Sequence, residues 1–179
     1  MATRYVALFR GINVGRAKRI AMADLKKLLA SLGFANVTTL LNSGNVVFDA
    51  TEESPVAIAA RIRAAVAKKL GVDAFVLVKT AKDVAAVIAG NKLGSVAGDP
   101  SRLLVAMTAE AAALAKHAPR AKTEWKDDVV HVGKHAAYVW CPDGSLRSKA
   151  AVALLKNLEE TGTTRNWATI EKIDALLKR

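Results

Sequence analysis

The chain has 179 residues, of which 52% are hydrophobic, and this is enough for one compact domain or two small ones with a buried core. Its formal net charge is +11, from 27 Lys and Arg against 16 Asp and Glu. This composition argues against a disordered chain, and the longest apolar runs are far shorter than the roughly 20 residues that a membrane-spanning helix requires.

Charge and cysteine content narrow the class of protein further. A basic balance of this size attracts polyanions or anionic ligands, although Arg and Lys are spread through every predicted helix, as they are in a basic, GC-biased proteome. The N-terminus lacks the apolar length of a signal peptide. Cys141 is the one cysteine, so an intrachain disulfide is excluded and Cys141 is expected to be a small packing residue. We expect a soluble, cytoplasmic protein.

The first half of the chain is predicted to have the element order βαββαβ. Residues 4–10 carry apolar side chains at both parities, which indicates a strand buried on both faces and therefore a central strand. Asn42-Ser43-Gly44-Asn45 is a strong signal for a tight hairpin. The predicted elements are a strand over 4–10, a helix over 22–32, strands over 37–41 and 46–48, a helix over 55–70 and a strand over 74–78. This order is that of the ferredoxin-like unit.

The second half repeats much of this order without a repeat at the level of residues. Residues 94–101 are rich in Gly, Ser and Pro, so we predict the join between the halves there. The elements after it are a strand over 102–107, a helix over 108–117, a hairpin of 124–132 and 136–140, and helices over 148–159 and 167–178. We therefore predict an α+β fold: a ferredoxin-like half over 1–93, then a βαββα half with a C-terminal helix over 94–179 that packs on or extends the first.

Two loops are predicted to meet at one edge of the first sheet. The first and second strands of a ferredoxin-like unit run parallel, so their carboxyl ends lie at the same edge. The glycine-bracketed basic loop 11–19 follows one of them, and the hairpin 42–45 follows the other. Glycines let backbone N–H groups approach a ligand, and the next helix offers a positive N-terminus, so a phosphate or carboxylate would be held there. The alternative is an ordinary turn with solvated charges.

A third segment, residues 163–167, precedes the last helix. Asn166 can cap that helix, and Arg165 beside Trp167 could stack on a base or grip a phosphate. Equally, Trp167 could anchor the helix to the core with Arg165 packed over it. A ligand held by both this segment and the glycine loop would be anionic, and both should then face one cleft. The candidate ligand-binding residues are Arg10, Asn13, Gly15, Lys18, Ser43, Asn45, Arg165 and Asn166.

No familiar catalytic or cofactor pattern is present. The loop sequence G-x-x-x-G-R matches neither the Walker pattern nor the dinucleotide fingerprint. His117, His131 and His135 are the only histidines, and no cysteine or carboxylate stands at a suitable spacing from them. We therefore expect no metal and no cofactor. Catalytic residues stay unassigned, and the question whether the protein is an enzyme stays open.

Three ordered motifs resemble a bacterial family, the domain of unknown function 1697. They are RGINVG followed by a basic loop and MADL, then NSGNVVF, then TTRNW before the last helix, and they span nearly the whole chain. The resemblance implies a ferredoxin-related α+β protein for which no activity is established. The motif positions are Arg10, Gly11, Asn13, Gly15, Ser43, Gly44, Asn45, Thr164, Arg165, Asn166 and Trp167. Arg16 stands where the family often has glycine, and Asn42 where it has glutamine.

Three functional hypotheses follow. The leading one is a binding protein whose basic loop edge holds an anionic ligand, either nucleic acid or a small anion, and not a membrane. The alternative is a small-molecule enzyme acting on a phosphorylated or carboxylated substrate, with Arg10, Lys18 and Asn45 orienting it. The third is a structural or interaction protein with neither property.

Overall fold

The structure is a computed structural model that describes residues 2–51, 54–117, 125 and 127–179. Strands and helices alternate along this part of the chain. They are β1 (Ala2–Phe9), α1 (Met22–Ser31), β2 (Ala35–Leu40), β3 (Asn45–Thr51), α2 (Pro55–Leu70), β4 (Val76–Thr80), α3 (Ala81–Ala89), β5 (Leu103–Thr108), α4 (Ala111–His117), β6 (Val129–Val132), β7 (Ala137–Trp140), α5 (Lys149–Leu158), β8 (Gly162–Asn166) and α6 (Trp167–Leu177). No helix of the described residues is long and apolar enough to cross a membrane.

The chain divides into two compact units. Unit 1 comprises Met1–Lys82 and Ile173–Arg179, and unit 2 comprises Asp83–Lys172. Residues 94–101, where the sequence predicts a join, fall within unit 2. Each unit contains one four-stranded sheet, so the α+β prediction is confirmed.

The sheet of unit 1 has the strand order β2-β3-β1-β4, with all neighbours antiparallel. This is the ferredoxin-like order, and β1 is central as predicted. Val6 in the middle of β1 lies opposite Val47 of β3 on one side and Lys79 of β4 on the other. Because β1 and β2 are both antiparallel to β3, they run parallel to each other and end at the same edge of the sheet.

The core of unit 1 lies between this sheet and helices α1 and α2. Tyr5, Ala7 and Phe9 of β1 belong to one buried cluster with the apolar stripes of the two helices, which include Leu25 and Ile62. The side chains of β1 on the opposite face of the sheet are buried as well, because Val6 and Leu8 are at most 1% exposed. Burial of both parities explains why the strand reads as continuously apolar.

The sheet of unit 2 has the order β6-β7-β5-β8, which is the same topology. Its fourth strand, β8, was not predicted from the sequence, in which residues 162–166 only precede the last helix. β8 pairs antiparallel with β5, and Arg165 lies opposite Val105. The segment GTTRN has no apolar residue, so it carries no periodic signal, and pairing with a buried central strand decides its conformation.

Helices α4 and α5 cover one face of the second sheet. Leu114 of α4 and Leu154 of α5 pack in one cluster with Ala106 and Val139 of the strands. Ser148 caps α5 by accepting a hydrogen bond from Ala151 N at 2.9 Å. The hairpin predicted over 124–140 is present as β6 and β7, while residues 124 and 126 lie outside the described residues.

Candidate anion-binding site

Two loops of unit 1 lie together at the edge where β1 and β2 end. We call residues 10–21 and 41–45 the two-loop edge. Phe9 N donates to Gly44 O at 2.9 Å, and Asn13 Nδ2 donates to Asn42 O at 2.8 Å, so each loop is tied to the other by hydrogen bonds. The parallel strands therefore bring the two sequence-predicted loops into contact.

Asn13 organises the longer loop from within. Its Oδ1 accepts from Ile20 N at 2.8 Å, and its Nδ2 donates to Ile20 O at 2.9 Å as well as to Asn42 O. Its backbone N donates to Lys18 O at 3.0 Å, which closes the loop. The carboxamide is thus engaged by the backbone at three points, and its structural role is to fix the position of both loops.

Gly44 allows the shorter loop to approach the longer one. Its φ is +80°, and a Cβ at this position would stand 2.5 Å from Ile12 Cδ1 and 2.8 Å from Phe9 Cβ. Ile12 is 1% exposed, so it has no room to withdraw. Both the backbone conformation and the packing therefore require glycine here.

Asn45 and Ser43 hold the hairpin turn. Asn45 is fully buried, and its Nδ2 donates to Leu40 O at 2.8 Å and to Ser43 Oγ at 3.1 Å. The buried amide thereby satisfies a carbonyl at the end of β2. Ser43 is exposed at the rim of the turn, whereas Asn45 contributes to the site by positioning the turn.

An open depression lies beside these loops, and one basic residue, Arg19, lines it. The depression has a volume of about 300 Å³, and its lining residues are Asn13, Arg19, Ile20, Ala21, Met22 and Asn42. Arg16 and Lys18 are exposed on the same loop, and Arg10 is half-buried at its start. One basic residue thus lines the depression and three more lie on the same loop, and their positive charge attracts an anion.

The first turn of α1 adjoins the depression. Its N-cap residue, Ala21, has no side chain that could accept a hydrogen bond, and it lines the depression together with Met22. Asp24 lies in the same first turn and brings a negative charge close to these backbone N–H groups. Arg19 therefore has to supply most of the attraction for an anion.

An ion pair lies close to the basic loop. Arg63 binds Asp73 at two points, with Nε to Oδ1 at 2.6 Å and Nη2 to Oδ2 at 2.9 Å. The hydrogen bond from Arg63 lowers the pKa of Asp73, and the charge of Lys18 acts in the same direction. Lys18 therefore lies in the field of a carboxylate, which reduces its contribution to the positive potential of the loop.

Arg165 and Asn166 belong to unit 2 and end strand β8. Asn166 Oδ1 accepts from Thr169 N at 2.9 Å, so its predicted role as the N-cap of α6 is confirmed. Arg165 is 9% exposed and donates to Thr164 O at 2.8 Å and to Thr163 Oγ1 at 3.2 Å. Burial lowers the pKa of its guanidinium to about 10, so the group remains a cation at neutral pH.

His131 and Cys141 are packed against other residues of unit 2. The ring of His131 stacks on Tyr138 with 5.7 Å between centroids. Cys141 is fully buried, and burial raises the pKa of its thiol, which disfavours the nucleophilic thiolate. Among the described residues, no group of three or more His, Cys, Asp and Glu could hold a metal ion.

The sequence-predicted site residues therefore fall into two groups. Those on the loops of unit 1 are Arg10, Asn13, Gly15, Lys18, Ser43 and Asn45. Arg165 and Asn166 form the second group, and their cleft with the first group stays a prediction. Of these residues only Asn13 lines the depression, and the predicted set did not include the other lining residues, which are Arg19, Ile20, Ala21, Met22 and Asn42. Their position in the sequence could have identified them, because Arg19 and Asn42 belong to the two predicted loops and residues 20–22 lead from the basic loop into α1.

Comparison with known proteins identifies the family of this chain. The family model described as "Protein of unknown function (DUF1697)" matches residues 2–138, which is more than half of the chain. The chain belongs to the DUF1697 family. The DUF1697 match includes the two-loop edge and ends before residues 163–167. A comparison with curated proteins found no match.

A solved structure supports the fold of this DUF1697 protein. The conserved bacterial protein SP0830 from Streptococcus pneumoniae is similar to it with a TM-score of 0.77 and 25% sequence identity. The similarity covers 99% of each chain. It therefore extends over the elements of both units, including those beyond the family match.

Proposed function

We propose that the two-loop edge of unit 1 binds an anionic ligand through a phosphate or carboxylate group. The observation that carries the proposal is the depression of about 300 Å³, which Arg19 lines together with Asn13 and Asn42. Its volume is at the lower end of the range for small-molecule sites. The loops around it are tied together by hydrogen bonds, so the site is preorganised.

The distribution of charge between the units supports the same proposal. Unit 1 contains fifteen Lys and Arg against six Asp and Glu, whereas unit 2 contains twelve against ten. Nearly all of the net positive charge thus belongs to the unit that carries the two loops. An anion approaching this unit is attracted before it reaches the depression.

In this proposal Arg19 binds the anion and the asparagines position the loops. The side chain of Asn13 binds backbone groups, and that of Asn45 binds Leu40 O and Ser43 Oγ, so both act by positioning the loops. Asp24 opposes the ligand, because its carboxylate lies in the first turn of α1. Removing Arg19 and removing Asp24 should therefore have opposite effects on affinity.

Calorimetric titration with inorganic phosphate tests the proposal. Arg19→Ala should weaken binding by about 10-fold or more, since a charge-assisted hydrogen bond is lost. Asp24→Asn should strengthen it a few-fold, and Lys27→Ala, which removes an exposed charge elsewhere on α1, should change it less than either. The proposal fails if the wild-type protein shows neither heat of binding nor a rise in Tm at about 10 mM phosphate.

Nucleic acid is the second candidate ligand, and the basic excess of unit 1 favours it. Binding to a polyphosphate should weaken about 10³-fold or more between about 50 and 200 mM salt if six or so phosphates are neutralised. A pocket for a single anion should lose much less. Titration of an oligonucleotide and of phosphate at the two salt concentrations therefore separates the two ligands.

A further inference from the structure

Half of the residues that line the depression at the two-loop edge are apolar. Ile20, Ala21 and Met22 line it next to Arg19, and together they offer aliphatic and thioether surface. Met22 is half-buried and Ala21 is exposed, so part of this surface faces water. An inorganic anion would contact the polar lining residues and leave the apolar ones wet.

Two exposed aliphatic residues stand next in sequence to residues that line the depression. Val14 is 72% exposed and follows Asn13, and Leu41 is 47% exposed and precedes Asn42. The lining residues Asn13 and Asn42 are joined by a hydrogen bond of 2.8 Å, so the two aliphatic residues lie on loops that are held together. Among the described residues of unit 1, Val56 is the only other large hydrophobic residue with comparable exposure. A single exposed aliphatic residue is ordinary, but two on loops that are joined to each other deserve a functional explanation. We call Val14 and Leu41 the aliphatic patch.

Leu41 is also unfavourable for the backbone at its position. Its φ is 59°, in the left-handed region that leucine rarely adopts and that asparagine or glycine tolerates. Neither burial nor backbone preference therefore favours leucine at this position. An apolar contact from a bound molecule would give the side chain a role.

We infer that the ligand of the two-loop edge is an amphiphilic anion, a phosphate or carboxylate that bears a short alkyl or acyl arm. The inference rests on the proposed function and names the ligand class of the same site. The anionic group pairs with Arg19, and the arm lies over Met22 and against Val14 and Leu41. The surrounding charges of Arg16 and Lys18 complement the anion and leave the arm to the aliphatic residues.

The size of the depression limits the arm. One water takes about 30 Å³ of liquid volume, so about 300 Å³ accommodates a phosphate group and an arm of roughly four to six carbons. A longer arm would extend past Val14 and Leu41 into solvent. Affinity should thus rise with chain length and then level off.

Titration with a series of alkyl phosphates tests the inference. Inorganic, methyl, butyl and hexyl phosphate are compared at one pH and ionic strength, below the concentration at which the hexyl compound aggregates. Each added methylene should tighten binding about two- to fourfold until the arm fills the surface. Equal affinities for methyl and hexyl phosphate would overturn the inference while leaving the proposed function intact. Absence of binding for every member, inorganic phosphate included, would overturn both.

Variants test whether the increase in affinity with chain length comes from Val14 and Leu41. The ratio of hexyl to methyl phosphate affinity should fall toward one in Leu41→Asn and in Val14→Thr. It should keep its wild-type value in the matched control Val56→Thr, and also in Arg19→Ala, where both affinities fall together. A wild-type ratio in Leu41→Asn and Val14→Thr would overturn the inference, provided that thermal melts show both variants folded.

Discussion

Asn13 and Asn42 join the two loops at the edge of unit 1. Asn13 Nδ2 donates to the backbone oxygen of Asn42 at 2.8 Å, and the rest of the carboxamide binds the N–H and the C=O of Ile20. One side chain thus links the exit of β1, the start of α1 and the turn between β2 and β3. The shape of the depression depends on this side chain, which is also one of the candidate ligand-binding residues predicted from the sequence.

Asn13→Ala should lower the free energy of unfolding by about 2 to 3 kcal/mol, because three hydrogen bonds are lost and backbone groups of the buried Ile20 are left unpaired. Asn42→Ala is the matched control. It keeps the backbone oxygen that accepts the bond and should cost much less. Urea unfolding of both variants measures the difference, and equal losses would show that Asn13 does not organise the loops.

Gly44→Ala should be far more destabilising than Gly15→Ala. Both glycines have positive φ, at +80° and +63°, so both substitutions strain the backbone by about 1 kcal/mol. Only at Gly44 would the new Cβ meet Ile12 and Phe9, whereas nothing lies within 4 Å of a Cβ at Gly15. We expect an additional loss of about 2 kcal/mol or more at Gly44 from overpacking. Chemical denaturation checks this, and similar losses at the two positions would contradict it.

Leu41→Asn should stabilise the protein without ligand by about 0.5 to 1 kcal/mol. The φ of 59° is one that asparagine tolerates, and the exposed leucine side chain contributes little packing in the absence of a ligand. Differential scanning calorimetry should show a higher Tm. A lower Tm would mean that Leu41 already packs usefully in the unliganded protein.

Stability should fall in acid partly because of Asp49. Burial raises the pKa of Asp49, but hydrogen bonds from Asn36 at 2.7 Å and Arg4 at 2.8 Å outweigh burial, so the pKa lies below its ordinary value of 3.8. A carboxyl group with a lowered pKa stabilises the folded state above 3.8, and this contribution is lost as the pH falls through the folded pKa.

The change Arg4→Met tests this dependence. It should cost about 1 kcal/mol at neutral pH and less at low pH, where Asp49 is protonated in wild type and variant alike. Urea unfolding of the two proteins between about pH 6 and pH 3 gives the difference directly. A difference that does not change with pH would assign the effect of Arg4 to its hydrogen bond with Leu176 O at 3.3 Å.

Arg165→Ala should lower stability by on the order of 1 kcal/mol or more, because a side chain that is 9% exposed is truncated. Arg165→Met should recover most of the loss, since it fills the space without burying a charge. Thermal melts with and without phosphate measure the stability of each variant and its stabilisation by phosphate. Unchanged stability together with a lost response to phosphate would instead assign Arg165 to a ligand.

The sequence by itself determined most of the fold. Apolar residues at both odd and even positions of β1 predicted a central strand, and the helices predicted over 22–32 and 55–70 are present as α1 and α2. Such signals are local: a periodicity, a cap or a turn residue constrains the chain within a few residues of itself. The parallel course of β1 and β2 then follows from topology, and with it the meeting of the two loops.

Only the tertiary structure decided the strand β8 and the roles of the asparagines. β8 is a polar segment that becomes a strand because its backbone pairs with β5, more than 50 residues earlier in the chain. Asn13 and Asn45 are indistinguishable in sequence from ligand-binding amides, yet both donate to backbone oxygens, in one case 29 residues away, and Asn45 donates to Ser43 Oγ as well. An amide serves a ligand or a fold equally well by its chemistry, and only the three-dimensional position of its partners settles which role it has.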